Sequence, residues 1–225
     1  MRLDLYLTEK KLTETRTRAK NLIEMGNVTV NGQTVQKPAT NISEDDVVKI
    51  TEDYDASVAS VKLKKAFTDF NANAKDKICL DLGAANGGFT DVLLNNGAQK
   101  VYALDIGECA LPDRLKNDER VVVVDRTNAR YIEKTNFADE INLITGDLSF
   151  ISLKYILLPA YNVLSDGGEA IFLIKPQFEL DSKRIPKSGI IRDEKVRNKI
   201  VSEIRLFAEN IGYKVKGITP APHPF

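Results

Sequence analysis

The stretch ICLDLGAANGGFTDVLL, residues 78–94, passes from a short apolar run through a glycine-rich turn into an amphipathic helical pattern. Further apolar runs follow it, with helical patterns between or after them. The predicted strands are residues 77–83, 100–106, 121–126, 141–147 and 169–175, and the predicted helices are residues 88–96, 110–117, 152–164 and 193–211. Apolar strands with crossover helices predict a parallel sheet covered on both faces. We therefore expect an α/β, Rossmann-like fold that binds its ligand at the carboxyl ends of the strands.

The turn has the order G-x-x-x-G-G rather than G-x-G-x-x-G, and an acidic residue precedes it. Asp81 and Gly83 end the predicted strand, and Gly87 and Gly88 open the next helix. Glycines let the backbone approach a ligand closely. An acidic strand end disfavours a pyrophosphate but suits the cationic methionine portion of S-adenosylmethionine. Asp105 ends the next strand, where it would hold a ribose diol.

The composition excludes several classes of protein. The 225 residues are 43% hydrophobic and 28% charged, which is enough to build a core, and 32 Lys+Arg balance 32 Asp+Glu. One histidine and two cysteines cannot assemble a histidine-based triad, a zinc cluster or a disulfide framework, so we expect no metal site. The thiols Cys79 and Cys109, with no signal segment and no run of 18 apolar residues, predict a cytoplasmic protein without a membrane span.

The chain divides into two parts of different character. Residues 1–50 predict a small α+β module of two short helices, a glycine stop at Gly26 and an Asn-Gly hairpin. Residues 51–60 are acidic and small, which is typical of a linker. Residues 61–225 form the larger α/β domain.

The small module carries an uneven charge. Residues 1–43 contain seven Lys/Arg and four Asp/Glu, a net charge of +3. Such a cluster indicates either a phosphate-binding patch or an ordinary solvated helix face. The candidates for RNA contact are Arg2, Lys10, Lys11, Arg16, Arg18 and Lys20.

Longer motifs resemble known families. RLDLYL, TRTRAKNLIEMGNVTVNG and DDVVKI, in that order, resemble the alpha-L RNA-binding motif. With that module in front, the segments DLGAANGGFTDVLLNNGAQKVYALDIG, RVVVVDRTNAR, GDLSFISLKYILLPA and LIKPQFE resemble the TlyA family, whose catalytic domain is similar to FtsJ-type methyltransferases. The resemblance implies S-adenosylmethionine-dependent 2′-O-methylation of cytidine in ribosomal RNA, with ribosomal RNA or a ribosomal subunit as partner.

The resemblance also implies which residues form the sites. The related enzymes use a Lys-Asp-Lys-Glu tetrad, onto which Lys62, Asp147 and Lys175 match. Lys175 would be the base, Lys62 would supply a neighbouring cation, and Asp147 would orient them, because a lysine beside a second cation loses its proton more readily. The implied cofactor-binding residues are Asp81, Gly83, Ala84, Gly87, Gly88, Phe89, Asp105 and Asp147.

Two departures from the family pattern leave alternatives open. Ala59-Ser60-Val61 stands where the family usually has Arg-Gly-Gly, and neither Glu179 nor Glu203 lies at the position of the fourth tetrad member. The final strand that carries that glutamate has no match in residues 61–225. A relative that binds RNA and cofactor with weak or lost catalysis is therefore a second hypothesis. A haemolysin, the older label of the family, is a distant third.

Overall fold

The computed structural model describes residues 1–13, 15–24, 26–43, 45–50, 54–180 and 191–222, with the backbone alone at 17, 18 and 54–58. The described chain forms two compact units, which divide between Val58 and Ala59.

The first unit is the small α+β module. Helices α1 (Leu3–Glu9) and α2 (Arg16–Glu24) precede strands β1 (Val28–Val30), β2 (Gln33–Thr34) and β3 (Val48–Ile50). The sheet is antiparallel in the order β2-β1-β3, and the turn between β1 and β2 places Asn31 and Gly32 at positive φ, as a hairpin of this length requires. The core consists of apolar side chains from both helices and the sheet: Leu3, Leu7, Ala19, Leu22, Ile23, Val28 and Ile42.

The second unit contains the parallel sheet that the sequence predicts. Its strands are β4 (Ile78–Leu82), β5 (Lys100–Leu104), β6 (Val121–Val124), β7 (Ile141–Gly146) and β8 (Leu164–Phe172). Their order is β6-β5-β4-β7-β8, with every neighbouring pair parallel. The chain therefore winds outward from β4 in one direction and then, through β7, in the other. The Rossmann-like fold class is confirmed.

Helices cover both faces of this sheet. They are α3 (Tyr54–Phe70), α4 (Gly88–Asn95), α5 (Asp113–Lys116), α6 (Leu157–Val163), α7 (Pro176–Glu179) and α8 (Glu194–Ile211). Side chains alternate between the two layers along β4, so Cys79 faces the core shared with α3 and α4, whereas Leu80 and Leu82 face the core shared with α6.

The element boundaries differ most from the sequence predictions at α5, at α6 and at β8. The predicted helix 110–117 shortens to α5 because Pro112 disfavours helix in the residue before it. The predicted helix 152–164 divides into a 3₁₀ turn and α6, and β8 follows α6 without a loop. Strand β8 ends at Phe172, so Lys175 lies three residues beyond it, before the proline that opens α7.

The segment interpreted as a linker is partly helical. Helix α3 begins at Tyr54 and runs through residues 54–60 without a break, while residues 51–53 lie outside the described part of the chain. Alanines at 56 and 59, with no glycine or proline in 54–60, favour helix over the expected flexible connection.

Candidate active site

The polarity of the sheet brings the candidate residues to one edge. The order in which strands are added to the sheet reverses between β4 and β7, and a doubly wound sheet binds its ligand at the carboxyl ends of the strands at this point. Gly83 follows β4 there and Asp147 follows β7. Gly83 has φ +80°, and a Cβ at Gly83 would lie 3.3 Å from the carbonyl oxygen of Asp147. The glycine thus allows the turn after β4 and the loop after β7 to approach closely.

Three of the sequence-predicted residues meet at this edge. Asp147 Oδ2 accepts a hydrogen bond from Lys62 Nζ at 3.0 Å, and Asp147 Oδ1 lies 2.7 Å from Lys175 Nζ. Each side chain is less than one-fifth exposed. The acid stands between two cations, so it balances part of a charge that would otherwise be buried unpaired.

Lys175 has two further oxygens around its ammonium group. Its Nζ donates to Ser149 Oγ at 2.7 Å and to the carbonyl oxygen of Asp147 at 3.3 Å. Its contact with Asp147 Oδ1 lies outside hydrogen-bond geometry, and that buried oxygen has no other hydrogen-bond partner in the described structure. The shortest hydrogen bond of Lys175 therefore goes to the hydroxyl of Ser149, an exposed residue that is not among the predicted site residues.

The glycine turn also holds Asp105. The amides of Ala85 and Gly107 donate to its two carboxylate oxygens, at 3.1 Å and 2.9 Å. Ala85 has φ +46° and Gly87 has φ +81°, so the turn is held in a left-handed conformation. A Cβ at Gly87 would lie 2.6 Å from Leu115 and 2.8 Å from Leu111. Partly exposed Asp105 thus lies beside the turn, and a carboxylate there suits a ribose diol.

The sequence predicts that Asp81 faces this edge, but its side chain points into the core instead. Its side chain is fully buried and accepts hydrogen bonds from the hydroxyls of Thr90 on α4, at 2.7 Å, and Thr145 on β7, at 3.2 Å. Alternation along β4 directs Asp81 under α4 rather than toward the strand end. Burial is the main cause that raises the pKa of Asp81 to about 7 against these two hydrogen bonds, and the nearby Asp147 adds to it.

The other predicted cofactor residues contribute mainly shape. Phe89 packs in the core between the sheet and α4, and Ala84 uses its amide to bind the carbonyl oxygen of Leu104 at 3.0 Å. Gly87 and Gly88 are buried. The side chain of Phe89 and the amide of Ala84 therefore have protein partners, whereas Gly83, Asp105 and Asp147 keep accessible surface.

Two loops form one side of the site and are joined at several points. Besides the contacts of Lys175, Glu179 accepts hydrogen bonds from Ser152 Oγ at 2.5 Å and from the amide of Leu153 at 2.8 Å. The rings of Phe150 and Phe178 lie 5.1 Å apart. We call residues 147–153 and 175–179 the paired loops, although the second of them includes the single-turn helix α7. Both segments were recognisable as motifs in the sequence, but their spacing does not predict that they contact each other.

Phe150 is the most exposed large apolar residue in the described chain. Its side chain is 91% exposed, and its φ is +62°, a region that a bulky residue seldom adopts. Phe150 directly follows Ser149, the hydrogen-bond partner of Lys175. A solvent-exposed aromatic ring at this position is a suitable surface for stacking a base.

The charged residues of the small module fall into different environments. The fully buried Asp4 pairs with Arg2 and Arg16, whose Nε atoms lie 2.9 Å and 3.0 Å from its oxygens. The hydrogen bond from Arg2 is the main cause that lowers the pKa of Asp4 to about 2, and Arg16 lowers it further. Both arginine side chains remain nearly half exposed, so they stabilise the buried acid and can still contact a ligand at the surface.

The remaining module cations are less constrained. Lys10 lies 5.8 Å from the centroid of the Tyr6 ring, and Lys11 and Lys20 are exposed. Arg18 belongs to α2, but its side chain lies outside the described part of the structure.

The described residues contain neither a candidate membrane span nor a candidate metal cluster. None of the helices described is both long and apolar enough to cross a membrane. Among the same residues, no three His, Cys, Asp or Glu side chains gather where they could hold a metal ion.

Comparisons with known proteins agree with the division of the chain into two units. The FtsJ-like methyltransferase family matches residues 56–224, and the S4 domain matches residues 1–48. The chain is 42% identical to Hemolysin A of Brachyspira hyodysenteriae over 99% of this chain and 93% of that protein. It is 34% identical to the 16S/23S rRNA (cytidine-2′-O)-methyltransferase TlyA of Mycobacterium tuberculosis over 99% and 84%.

A solved structure described as a hemolysin from Streptococcus thermophilus is similar over both units. It superposes with a TM-score of 0.73 at 37% identity and covers 96% of this chain and 80% of that chain. Methyltransferase and hemolysin names therefore occur among proteins that share nearly the full length of this sequence.

Proposed function

Because the chain belongs to the FtsJ-like methyltransferase family, we propose that it transfers the methyl group of S-adenosylmethionine to the 2′-hydroxyl of a cytidine in ribosomal RNA. The observation that carries the proposal is the meeting of Lys62, Asp147 and Lys175 beside the glycine turn. The S4 domain at residues 1–48 supports RNA as the substrate.

The chemistry requires a base and alignment. A ribose 2′-hydroxyl is a weak nucleophile, so its proton must leave as the oxygen attacks the methyl carbon in line with the departing sulfur. Lys175 is the base, and Asp147 holds it in place. Lys62 lies on the other oxygen of Asp147 and supplies a second positive charge to the same site.

The residues at the switch point fit the cofactor. S-adenosylmethionine supplies a methyl group that is activated by its bond to a sulfonium sulfur. After transfer, that sulfur is a neutral thioether. Gly83 leaves the turn free of a side chain, Asp105 would offer carboxylate oxygens to the ribose hydroxyls, and the carboxylate of Asp147 would favour the positively charged part of the cofactor. Ala84, Gly87, Gly88 and Phe89 shape the backbone of this cradle, and Asp81 ties it to β7.

The small module binds the RNA. Lys10, Lys11, Arg16 and Lys20, with Arg2 and Arg18, place cations on one short stretch of chain, and cations release counterions from the phosphate backbone when they bind. Asp4 neutralises part of the charge of Arg2 and Arg16. The four other cations therefore carry most of the salt-dependent affinity.

The direct experiment uses the purified chain, ribosomal subunits that lack the modification, and S-adenosylmethionine with a labelled methyl group. The expected product is 2′-O-methylcytidine in a nuclease digest of the RNA. Cofactor binding without transfer to any ribosomal RNA would reject this function and leave the RNA- and cofactor-binding relative. Leakage of liposomes caused by the purified monomer would instead support the haemolysin hypothesis.

A further inference from the structure

To act as a base, Lys175 must present the lone pair of its neutral amine to a group that can donate a proton. A neutral amine keeps two N–H donors and gains one lone pair, and this lone pair is repelled by an oxygen that can only accept. Three oxygens of the described residues are ion-pair or hydrogen-bond partners of Lys175 Nζ, and two of them, the carboxylate and carbonyl oxygens of Asp147, can only accept. The hydroxyl of Ser149, at 2.7 Å, both accepts and donates.

Ser149 also lies on the outer side of the amine. The side chain of Lys175 is 17% exposed, whereas Ser149 is an exposed residue of the loop after β7. A substrate oxygen that approaches this edge therefore meets the serine hydroxyl in an accessible position, while the amine behind it is largely covered by the paired loops.

From these two observations, and on the basis of the function proposed above, we propose that Ser149 relays the proton of the attacking 2′-hydroxyl to Lys175. The 2′-oxygen forms its bond to the methyl carbon as the carbon–sulfur bond breaks. The 2′-hydroxyl proton moves to Ser149 Oγ, and the proton of Ser149 moves to Lys175 Nζ. The sulfonium charge is thereby replaced by the charge of the lysine ammonium, and Ser149 ends the step as a hydroxyl.

The relay predicts a specific pattern among substitutions at this position. Ser149→Ala removes the hydroxyl and should slow single-turnover methyl transfer by about 100-fold. Ser149→Thr keeps a hydroxyl at the same atom position and should recover the rate to within about threefold of the unaltered protein. Dissociation constants for S-adenosylmethionine and RNA, and the melting temperature, should change little in both variants.

A second measurement separates a relay from a hydroxyl that only positions the amine. Two protons move in the relay, so the transfer rate of the unaltered protein should fall along a curve as the D2O fraction rises. The slow residual reaction of Ser149→Ala moves one proton and should give a straight line.

Three results would overturn the relay. They are a Ser149→Ala transfer rate within threefold of normal, a straight line for the unaltered protein, and a folded Ser149→Thr variant as slow as Ser149→Ala. Failure of the proposed function looks different, because the unaltered protein itself would then transfer no methyl group to ribosomal RNA.

Discussion

Lys62 and Lys175 approach the two oxygens of one carboxylate, that of Asp147, at 3.0 Å and 2.7 Å. One lysine comes from the helix before the sheet and the other from the loop after its last strand. Their shared acid makes each lysine depend on the other, because removing either cation leaves the carboxylate paired on one side only.

Removal of Lys175 tests its assignment as the base. Lys175→Ala should lower methyl transfer by at least about 100-fold, since general-base contributions reach 10²–10⁴. Its affinity for S-adenosylmethionine should stay within about twofold, because Gly83 and Asp105 are unchanged. Single-turnover kinetics and calorimetric titration with the cofactor measure the two effects separately.

A matched control is available at the other end of the sheet. Lys77 also pairs with an acid, Glu169, at 2.7 Å, and it is similarly covered. Lys77→Ala should leave the transfer rate near normal. Equal losses in the two variants would point to general destabilisation rather than to a base.

The buried Asp81 should make stability depend on pH. Its pKa of about 7 in the folded chain lies above the ordinary value of 3.8. The unfolded chain therefore loses this proton first as pH rises, and folding is penalised progressively between about pH 4 and pH 7, after which the penalty is constant. The difference of about 3 units between the folded and unfolded pKa of Asp81 corresponds to a penalty of roughly 4 kcal/mol in folding free energy.

Asp81→Asn removes this ionisation while it keeps the size of the side chain. The variant should gain stability relative to the unaltered chain as pH rises from 5 to 8, which urea unfolding at the two pH values measures. If both proteins changed equally between pH 5 and 8, the buried carboxyl would not be the cause.

Asp4 predicts the opposite pH dependence in the small module. Its folded pKa of about 2 lies below the ordinary 3.8, so its contribution is present above about pH 4 and is lost as pH falls toward 2. Asp4→Asn should cost about 1–2 kcal/mol at neutral pH, because both arginines remain partly screened by solvent. The melting curves of the two proteins should converge near pH 2, and a constant gap would contradict the ion-pair explanation.

Phe150 should affect RNA and leave folding intact. Phe150→Ala removes a ring whose surface is almost wholly exposed, so its melting temperature should move little. Loss of one stacked base costs about 1–3 kcal/mol, which corresponds to a rise of roughly 5-fold or more in the KM for RNA. Phe150→Tyr should retain stacking.

Leu206 offers a control for the loss of an exposed apolar side chain, since it is 59% exposed on α8. Leu206→Ala should leave the KM for RNA unchanged. An unaltered KM in Phe150→Ala as well would remove the ring from RNA recognition.

The sequence pattern predicted the sheet, and the resemblance to the TlyA family implied that Lys62, Asp147 and Lys175 belong to one site. Apolar runs of strand length and a glycine turn determine the fold, and the carboxyl edge of a parallel sheet collects whatever follows its strands. The direction of Asp81 was harder to predict, because burial of a carboxyl depends on two threonines that lie 9 and 64 residues away. Ser149 and Phe150 were missed since their importance comes from the second of the paired loops, which no local pattern reveals.

The ion pair between Lys62 and Asp147 closes a loop of 85 residues. Long-range contacts of this kind form late, because the chain must first lose the entropy of closing the loop. Helices and the small module can therefore be complete in a refolding chain before the carboxylate of Asp147 has paired with either lysine. Recovery of methyl transfer should thus lag behind recovery of helical circular dichroism, so activity reports the last stage of folding rather than its onset.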